Sequence, residues 1–216
     1  NQMRTRIKRF LKQRTDMLAG VSHDLRTPLT RMKLQISLMK NENEKKELEN
    51  DINEMTAMLN SYVNFVKGET PEPIENIDLN NLINTISKSN SSPDLNITIN
   101  DEKNIITSGR PIQIKRALQN IIDNSKRYSS EINIELSVKD DNFFVIIADN
   151  GPGIPKKNLE DVFKPFYTLD PSRNKLKGES GLGLTIARDI IRSHGGEIKL
   201  SHSKMGGLET TINLPL

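Results

Sequence analysis

The chain has 216 residues, 34% hydrophobic and 27% charged, with a formal net charge of +3 and no cysteine. That length holds one large or two ordinary domains, and the missing cysteine excludes disulfides, thiolate metal sites and thiol nucleophiles and fits a reducing, cytoplasmic setting. Acidic residues dilute the Lys and Arg along the whole chain, which argues against a nucleic-acid partner, and the longest apolar run, 143–148 (FFVIIA), falls far below the roughly 18–20 residues of a membrane span.

The chain opens at Asn1 rather than methionine and reads as the downstream piece of a longer protein, with any membrane segment upstream. Apolar residues then recur at three- and four-residue intervals: Met3, Ile7, Phe10, and after a gap Met17, Val21, Leu25, Leu29, Met32, Ile36 and Met39. A second series, Leu48, Ile52, Met55, Leu59, Tyr62 and Val66, alternates steps of four and three. Both are seams of amphipathic helices. The polar stretch 41–46 (NENEKK) is the predicted connector of an antiparallel pair. Two such helices cannot bury both seams alone, so a homodimer closing a four-helix bundle is expected.

His23 stands apart from this pattern. At about 100° per residue it lies roughly 200° from Val21 and Leu25, so its imidazole is predicted to face solvent. Asp24 is adjacent, Thr27 shares its face one turn on, and Pro28 removes a backbone donor and is expected to bend the helix. Imidazole, carboxylate and hydroxyl together make a reactive surface. A helical histidine alone is more often an ordinary polar residue.

The stretch 69–73 (ETPEP) ends the second helix and begins a linker. Beyond it the predicted helices are 79–89, 111–128 and 181–194. Strands are predicted at 96–100, 132–138, 143–148, 197–201 and 210–214, with a hairpin turn at 140–142. Helices and strands grouped without strict alternation indicate an α/β sandwich with helices over one face. The fold class is therefore α+β.

Three stretches of this second region carry chemistry. Asn120 and Asn124 sit one turn apart on one helix face, with Arg127 and Tyr128 just beyond. An asparagine oxygen suits Mg²⁺, which takes its other ligands from phosphates and water. A strand runs into Asp149, an acceptor for an exocyclic amine, followed by Gly151 and Gly153, which admit close backbone approach to a flat base. Gly181 and Gly183 open a helix whose first N–H groups suit phosphate. Singly, DNGPG is equally a turn and G-x-G is weak; neither a Rossmann fingerprint nor a Walker A sequence is present.

In this order, and with the helical pair upstream, these stretches resemble the cytoplasmic core of a two-component sensor histidine kinase. Residues 21–30 (VSHDLRTPLT) are similar to the family's H-box, 116–128 to its N-box, 149–154 to its G1 box, 163–167 (FKPFY) to its F-box and 180–184 (SGLGL) to its G2 box. The resemblance covers nearly the whole chain. The HDLRTPLTR run, with a start similar to the tail of a HAMP linker, looks most like the osmosensor subgroup that regulates outer-membrane porin genes.

The resemblance implies the end of a HAMP-like signalling helix at 1–15, a dimerisation and phosphotransfer domain at 16–70, and a GHKL-type ATP-binding α/β sandwich at 71–216. It implies His23 as phosphoacceptor, Asp24 as its orienting carboxylate, and Thr27 as the residue positioning water for phosphatase action on a response regulator's receiver domain. ATP and Mg²⁺ are the implied cofactors. Asn124 would be the metal ligand with Asn120 in support, and Arg127 and Tyr128 would be nucleotide contacts. Asp149 would read adenine beside Gly151 and Gly153, and Gly181, Leu182 and Gly183 would meet the phosphates. Phe166 begins a lid in which Arg173, Lys175 and Lys177 supply positive charge. The parent would be a membrane-anchored protein, joined to the membrane only through its missing N-terminal region.

Two residues depart from the family pattern: Glu179 stands where glycine is frequent, and Arg110 where aspartate is usual. Another ATPase of the same superfold, or a kinase-inactive docking module, is the alternative reading. Phosphoenzyme formation separates the first and nucleotide binding the second.

Overall fold

The computed structural model describes residues 24–39, 41–66, 72–89, 96–101, 105–169 and 181–216. These fall into two compact units, one before residue 71 and one from there on. The seam positions from Met3 to Val21, and His23 itself, lie outside the described residues, as do Arg173, Lys175, Lys177 and Glu179.

The first unit is a pair of helices, α1 (24–37) and α2 (Glu42–Val66). Pro28 lies within α1, which continues on both sides of it. The expected connector at 41–46 is mostly helix instead. Asn41 Oδ1 accepts from the Asn43 and Glu44 N–H groups at 3.2 and 3.5 Å, and its carbonyl accepts from Lys45 N–H at 2.9 Å. An asparagine cap with Glu42 and Glu44 in the first turn satisfies the free donors and favours the dipole, so α2 starts at once.

The seams split into two columns. Leu29 and Ile36 of α1 pack with Ile52 of α2, and Met39 and Leu59 close around them. The other column, Leu25 and Met32 on α1 and Leu48 and Met55 on α2, stays 40–54% exposed.

The second unit contains β1 (Glu75–Asp78), α3 (Leu79–Ser89), β2 (Asn96–Asp101), β3 (Ile106–Gly109), α4 (Pro111–Tyr128), β4 (Glu131–Lys139), β5 (Asn142–Asp149), α5 (Gly183–Ser193), β6 (Glu197–His202) and β7 (Leu208–Pro215). The main sheet has the order β2-β4-β5-β7-β6, parallel only between β2 and β4, and β1 and β3 form a separate ribbon. Strand alternation supplies one apolar face: Ile132, Ile134 and Leu136 on β4, Phe143, Val145 and Ile147 on β5, Leu208, Ile212 and Leu214 on β7. It packs against the buried faces of α4 (Ile114, Ala117, Leu118, Ile121, Ile122) and α5 (Ile186, Ala187, Ile190, Ile191). Each such side chain contributes about 1.5–3 kcal/mol by leaving water.

The five predicted strands and three predicted helices are present, with ends within two residues of expectation. The β1–β3 ribbon was not anticipated: its strands have four residues each, and only Ile77, Thr107 and Gly109 turn inward.

The β4–β5 hairpin has Asp140 and Asp141 at φ 49° and 56° between the paired Lys139 and Asn142. Two successive left-handed residues make a type I′ turn, for which Asn-Gly is better suited. Asp140→Asn with Asp141→Gly is expected to stabilise the second unit by about 1 kcal/mol, read as a raised denaturant midpoint with unchanged slope.

Candidate active site

Strand parity places Asp149. It is the fourth member of the inward column after Phe143, Val145 and Ile147, so it points to the helix-covered side of the sheet and is only 3% exposed. A buried carboxylate needs donors. Oδ1 accepts from the Gly151 and Leu208 N–H groups, both at 3.0 Å, and the Asp149 carbonyl accepts from Gly207 N–H at 3.2 Å. Among the described residues Oδ2 has no hydrogen-bonded partner. One oxygen is anchored and the other is left for a ligand.

Gly207 makes this arrangement possible. A Cβ there would lie 2.2 Å from Asp149 Oδ1 and 2.5 Å from Gly151 N. Gly207→Ala must therefore push the carboxylate or the turn aside, an overpacking cost on the order of 1–3 kcal/mol. The expected outcome is a lowered melting temperature together with lost adenine-nucleotide binding by calorimetry.

The turn after β5 is tied to the end of α4. Asn150 Oδ1 accepts from the Ser130 and Glu131 N–H groups at 3.1 Å, and its Nδ2 donates to Ser130 Oγ at 3.2 Å. Gly151 lies so close to Tyr128 that a Cβ would be 2.9 Å from the tyrosine carbonyl oxygen. Gly153 adopts φ 67° beside Gly207. Gly183 packs against Asn120, with 3.9 Å from a glycine Cβ position to the asparagine Cβ. Asn120 Nδ2 is buried without a hydrogen-bond partner among the described residues, a polar atom that a bound ligand would satisfy. Leu182 is fully buried, so only its main chain can meet a ligand.

The segment after β5 docks on α5. The carbonyl of Phe163 accepts from Thr185 Oγ1 at 2.9 Å and from Arg188 Nη2 at 3.3 Å, and the Arg188 guanidinium stacks 4.3 Å from the phenylalanine ring. Lys164 pairs with Asp161 at 2.5 Å, and the hydrogen bond and charge of that carboxylate raise the lysine pKa above its usual value. Phe166 takes φ 62° and donates its N–H to the Gly181 carbonyl at 3.0 Å. Gly181 itself is at φ 63°, and a Cβ there would sit 2.8 Å from Phe166 Cα. The two ends of the stretch 167–180 are thereby joined.

The second unit carries Asn120, Asn124, Arg127, Tyr128, Asp149, Gly151, Gly153, Phe166, Gly181, Leu182 and Gly183. Close contacts join Asn120 with Gly183, Tyr128 and Asp149 with Gly151, and Phe166 with Gly181, while Asp24 and Thr27, both exposed, belong to the helical unit. Sequence reasoning missed Asn150, Gly207, Thr185 and Arg188. Only the Gly206-Gly207 pair left a local signal; the Leu208–Asp149 bond spans 59 residues and uses a main-chain donor that any residue type carries. Among the described residues no three His, Cys, Asp or Glu side chains converge as a metal site. A metal here would draw a side-chain oxygen from Asn124 and the rest from phosphates and water, which fits Mg²⁺.

Two sequence families match the chain. Residues 109–216 match the histidine kinase-, DNA gyrase B- and HSP90-like ATPase family, and residues 13–71 match the His Kinase A (phospho-acceptor) domain. The chain belongs to the family of two-component sensor histidine kinases. It is 32% identical over 217 residues to the sensor histidine kinase GtrS of Pseudomonas aeruginosa, and 32% identical over 228 residues to CpxA of Escherichia coli K12. The match covers 100% of this chain but 45% and 50% of those proteins, so the chain spans about half their length. Among solved structures it superposes on full-length ShkA in complex with AMPPNP with a TM-score of 0.71 at 19% identity, covering 93% of this chain and 45% of that one. The mycobacterial sensor histidine kinase MprB gives a TM-score of 0.59 at 24% identity, covering 66% and 97%. The structural likenesses show the fold, and the two family matches make it a His Kinase A-type helical region followed by a GHKL-type ATPase module. No described helix of the chain is long and apolar enough to cross a membrane.

Proposed function

We propose that the chain binds Mg·ATP in its second unit, transfers the γ-phosphoryl group to His23, and passes it to an aspartate of a response regulator. The observation that carries this reading is Asp149, buried, with one oxygen held by two main-chain donors and the other open to an adenine amine. The open amide of Asn120 lies beside the helix start at Gly183, whose free N–H groups suit phosphates. ShkA, a protein of the same fold, is known in complex with AMPPNP, which supports nucleotide binding by this fold.

In the reaction a His23 ring nitrogen attacks the γ-phosphorus; a P–N bond forms, the bond to the β-phosphate oxygen breaks, and ADP leaves. Asp24 accepts a hydrogen bond from the other ring nitrogen, fixing the tautomer and supporting the developing cation. Phosphohistidine then yields its phosphoryl group to a regulator carboxylate, the P–N bond breaking as the acyl phosphate forms. Arg127, Tyr128, Phe166, Arg173, Lys175 and Lys177 would contact the nucleotide. Asn124 would hold Mg²⁺, which when bound would neutralise charge on the phosphates. Alignment and charge neutralisation are the main demands of such a transfer.

The exposed column Leu25, Met32, Leu48 and Met55 supports a homodimer, since a second copy would bury it in a four-helix bundle. The domain limits 1–15, 16–70 and 71–216, and a membrane-anchored parent, complete the proposal. The direct test incubates the chain with γ-labelled Mg·ATP and then with receiver domains. Acid-labile label on the chain, lost to a receiver, supports the reading; ATP turnover with no phosphoenzyme sinks it. Preference for a porin-gene regulator's receiver would test the narrower osmosensor likeness.

Phosphatase action is a second activity of the same surface. Thr27 is exposed on α1, four residues after His23 in sequence, and would orient a water on an incoming acyl phosphate. Thr27→Ala is expected to slow regulator dephosphorylation at least about tenfold while leaving autophosphorylation unchanged. Equal dephosphorylation rates would remove Thr27 from that role.

A further inference from the structure

The first N–H groups of a helix need acceptors. Arg110 holds the cap position of α4, yet its side chain makes no capping hydrogen bond. The acceptors come from 40 residues away. Glu72 Oε1 accepts from Ile112 N–H at 2.5 Å, and Oε2 from Gln113 N–H at 3.2 Å. A carboxylate is the favoured group at this positive end.

Arg110 is turned toward the other site helix. Its Nη2 donates to the carbonyl and hydroxyl of Ser193 at 3.3 and 3.4 Å, in the last turn of α5, where a cation is favoured. Its main-chain N–H donates to His194 Nε2 at 3.2 Å, and His194 Nδ1 donates to the Ile190 carbonyl at 2.8 Å. A continuous set of bonds therefore runs from Glu72 through the start of α4 and Arg110 to the end of α5. These two helices carry Asn120 and Asn124 on α4 and Gly183 on α5, with Gly183 packed against Asn120.

We infer that Glu72 is a positioning residue: by docking where the chain enters the second unit, it sets the placement of α4 against α5, so that nucleotide binding and Glu72 docking are coupled. This rests on the nucleotide reading above. Coupling between two binding events is reciprocal. Nucleotide should strengthen the hold of Glu72, and loss of Glu72 should weaken nucleotide binding by the same factor.

The test uses the whole chain, with Mg·ATP calorimetry and hydrogen exchange at the Ile112 and Gln113 amides. In the unaltered chain, saturating Mg·ATP is expected to slow exchange at both amides. Glu72→Ala should lose their protection and raise the Kd for Mg·ATP about fivefold. Adding Arg110→Asp to Glu72→Ala supplies a local cap and should restore protection. It also removes the hold on Ser193, so affinity should stay weak. A folded Glu72→Ala chain with unchanged Kd overturns the inference, as does full recovery of affinity in the double variant, which would reduce Glu72 to a helix cap. If Glu72→Ala does not fold, Glu72→Gln, with one acceptor oxygen, carries the same comparison. Absence of Mg·ATP binding to the unaltered chain overturns the nucleotide reading, and this inference with it.

Discussion

Replacing His23 by glutamine is expected to abolish acid-labile phosphoprotein formation from Mg·ATP while changing the Kd for ATP by less than about twofold. Glutamine is polar and helix-compatible, so the substitution removes the nucleophile without disturbing the apolar seam. The nucleotide site is assembled from α4, α5 and the ends of β5 and β7, none of which includes residue 23. Loss of transfer with retained binding therefore isolates the chemical step. Radiolabel retention on alkaline gels, set beside calorimetry, is the check. Undiminished label in the variant would place the acceptor elsewhere.

Asp149→Asn should have the opposite profile: no ATP binding, and hence no transfer. The amide oxygen can keep both main-chain bonds now made by Oδ1, from Gly151 and Leu208, so the fold survives. The amide nitrogen then replaces Oδ2 and presents donors to a donor, the adenine amine. A site built for a hydrogen bond and left with a mismatched buried group loses roughly 10²–10⁴ in affinity. Calorimetry should show no saturable ATP binding at concentrations that saturate the unaltered chain, with the melting temperature within a few degrees. Retained micromolar binding would mean that Asp149 does not read the base.

The contrast between these variants reflects what a sequence makes visible. The α4 and α5 limits were legible because their apolar faces repeat at helical spacing, and β4 and β5 because Ile132, Ile134, Leu136 and Phe143, Val145, Ile147 alternate. The sequence placed Asp149 only at the end of a strand, and that its side chain turns inward became visible once β5 was seen to run on through it. The cap on α2 followed a rule that could have been applied: Asn41 ahead of Glu42 and Glu44 is a helix start, not a loop. The β1–β3 ribbon was hidden by its shortness and polarity. What holds Asp149 was hidden for another reason, since Gly207 and the Leu208 amide act through close approach and a main-chain donor brought in by β7. Glu72 on α4 is likewise a contact that only the folded chain creates.

The most direct measurement is mass spectrometry of the peptide containing His23, recovered at alkaline pH after incubation of the chain with Mg·ATP. The account predicts one phosphoryl group on the His23 imidazole, absent when ATP is replaced by a non-hydrolysable analogue. A phosphoryl group found only on another residue, or none while calorimetry shows ATP bound, would contradict it.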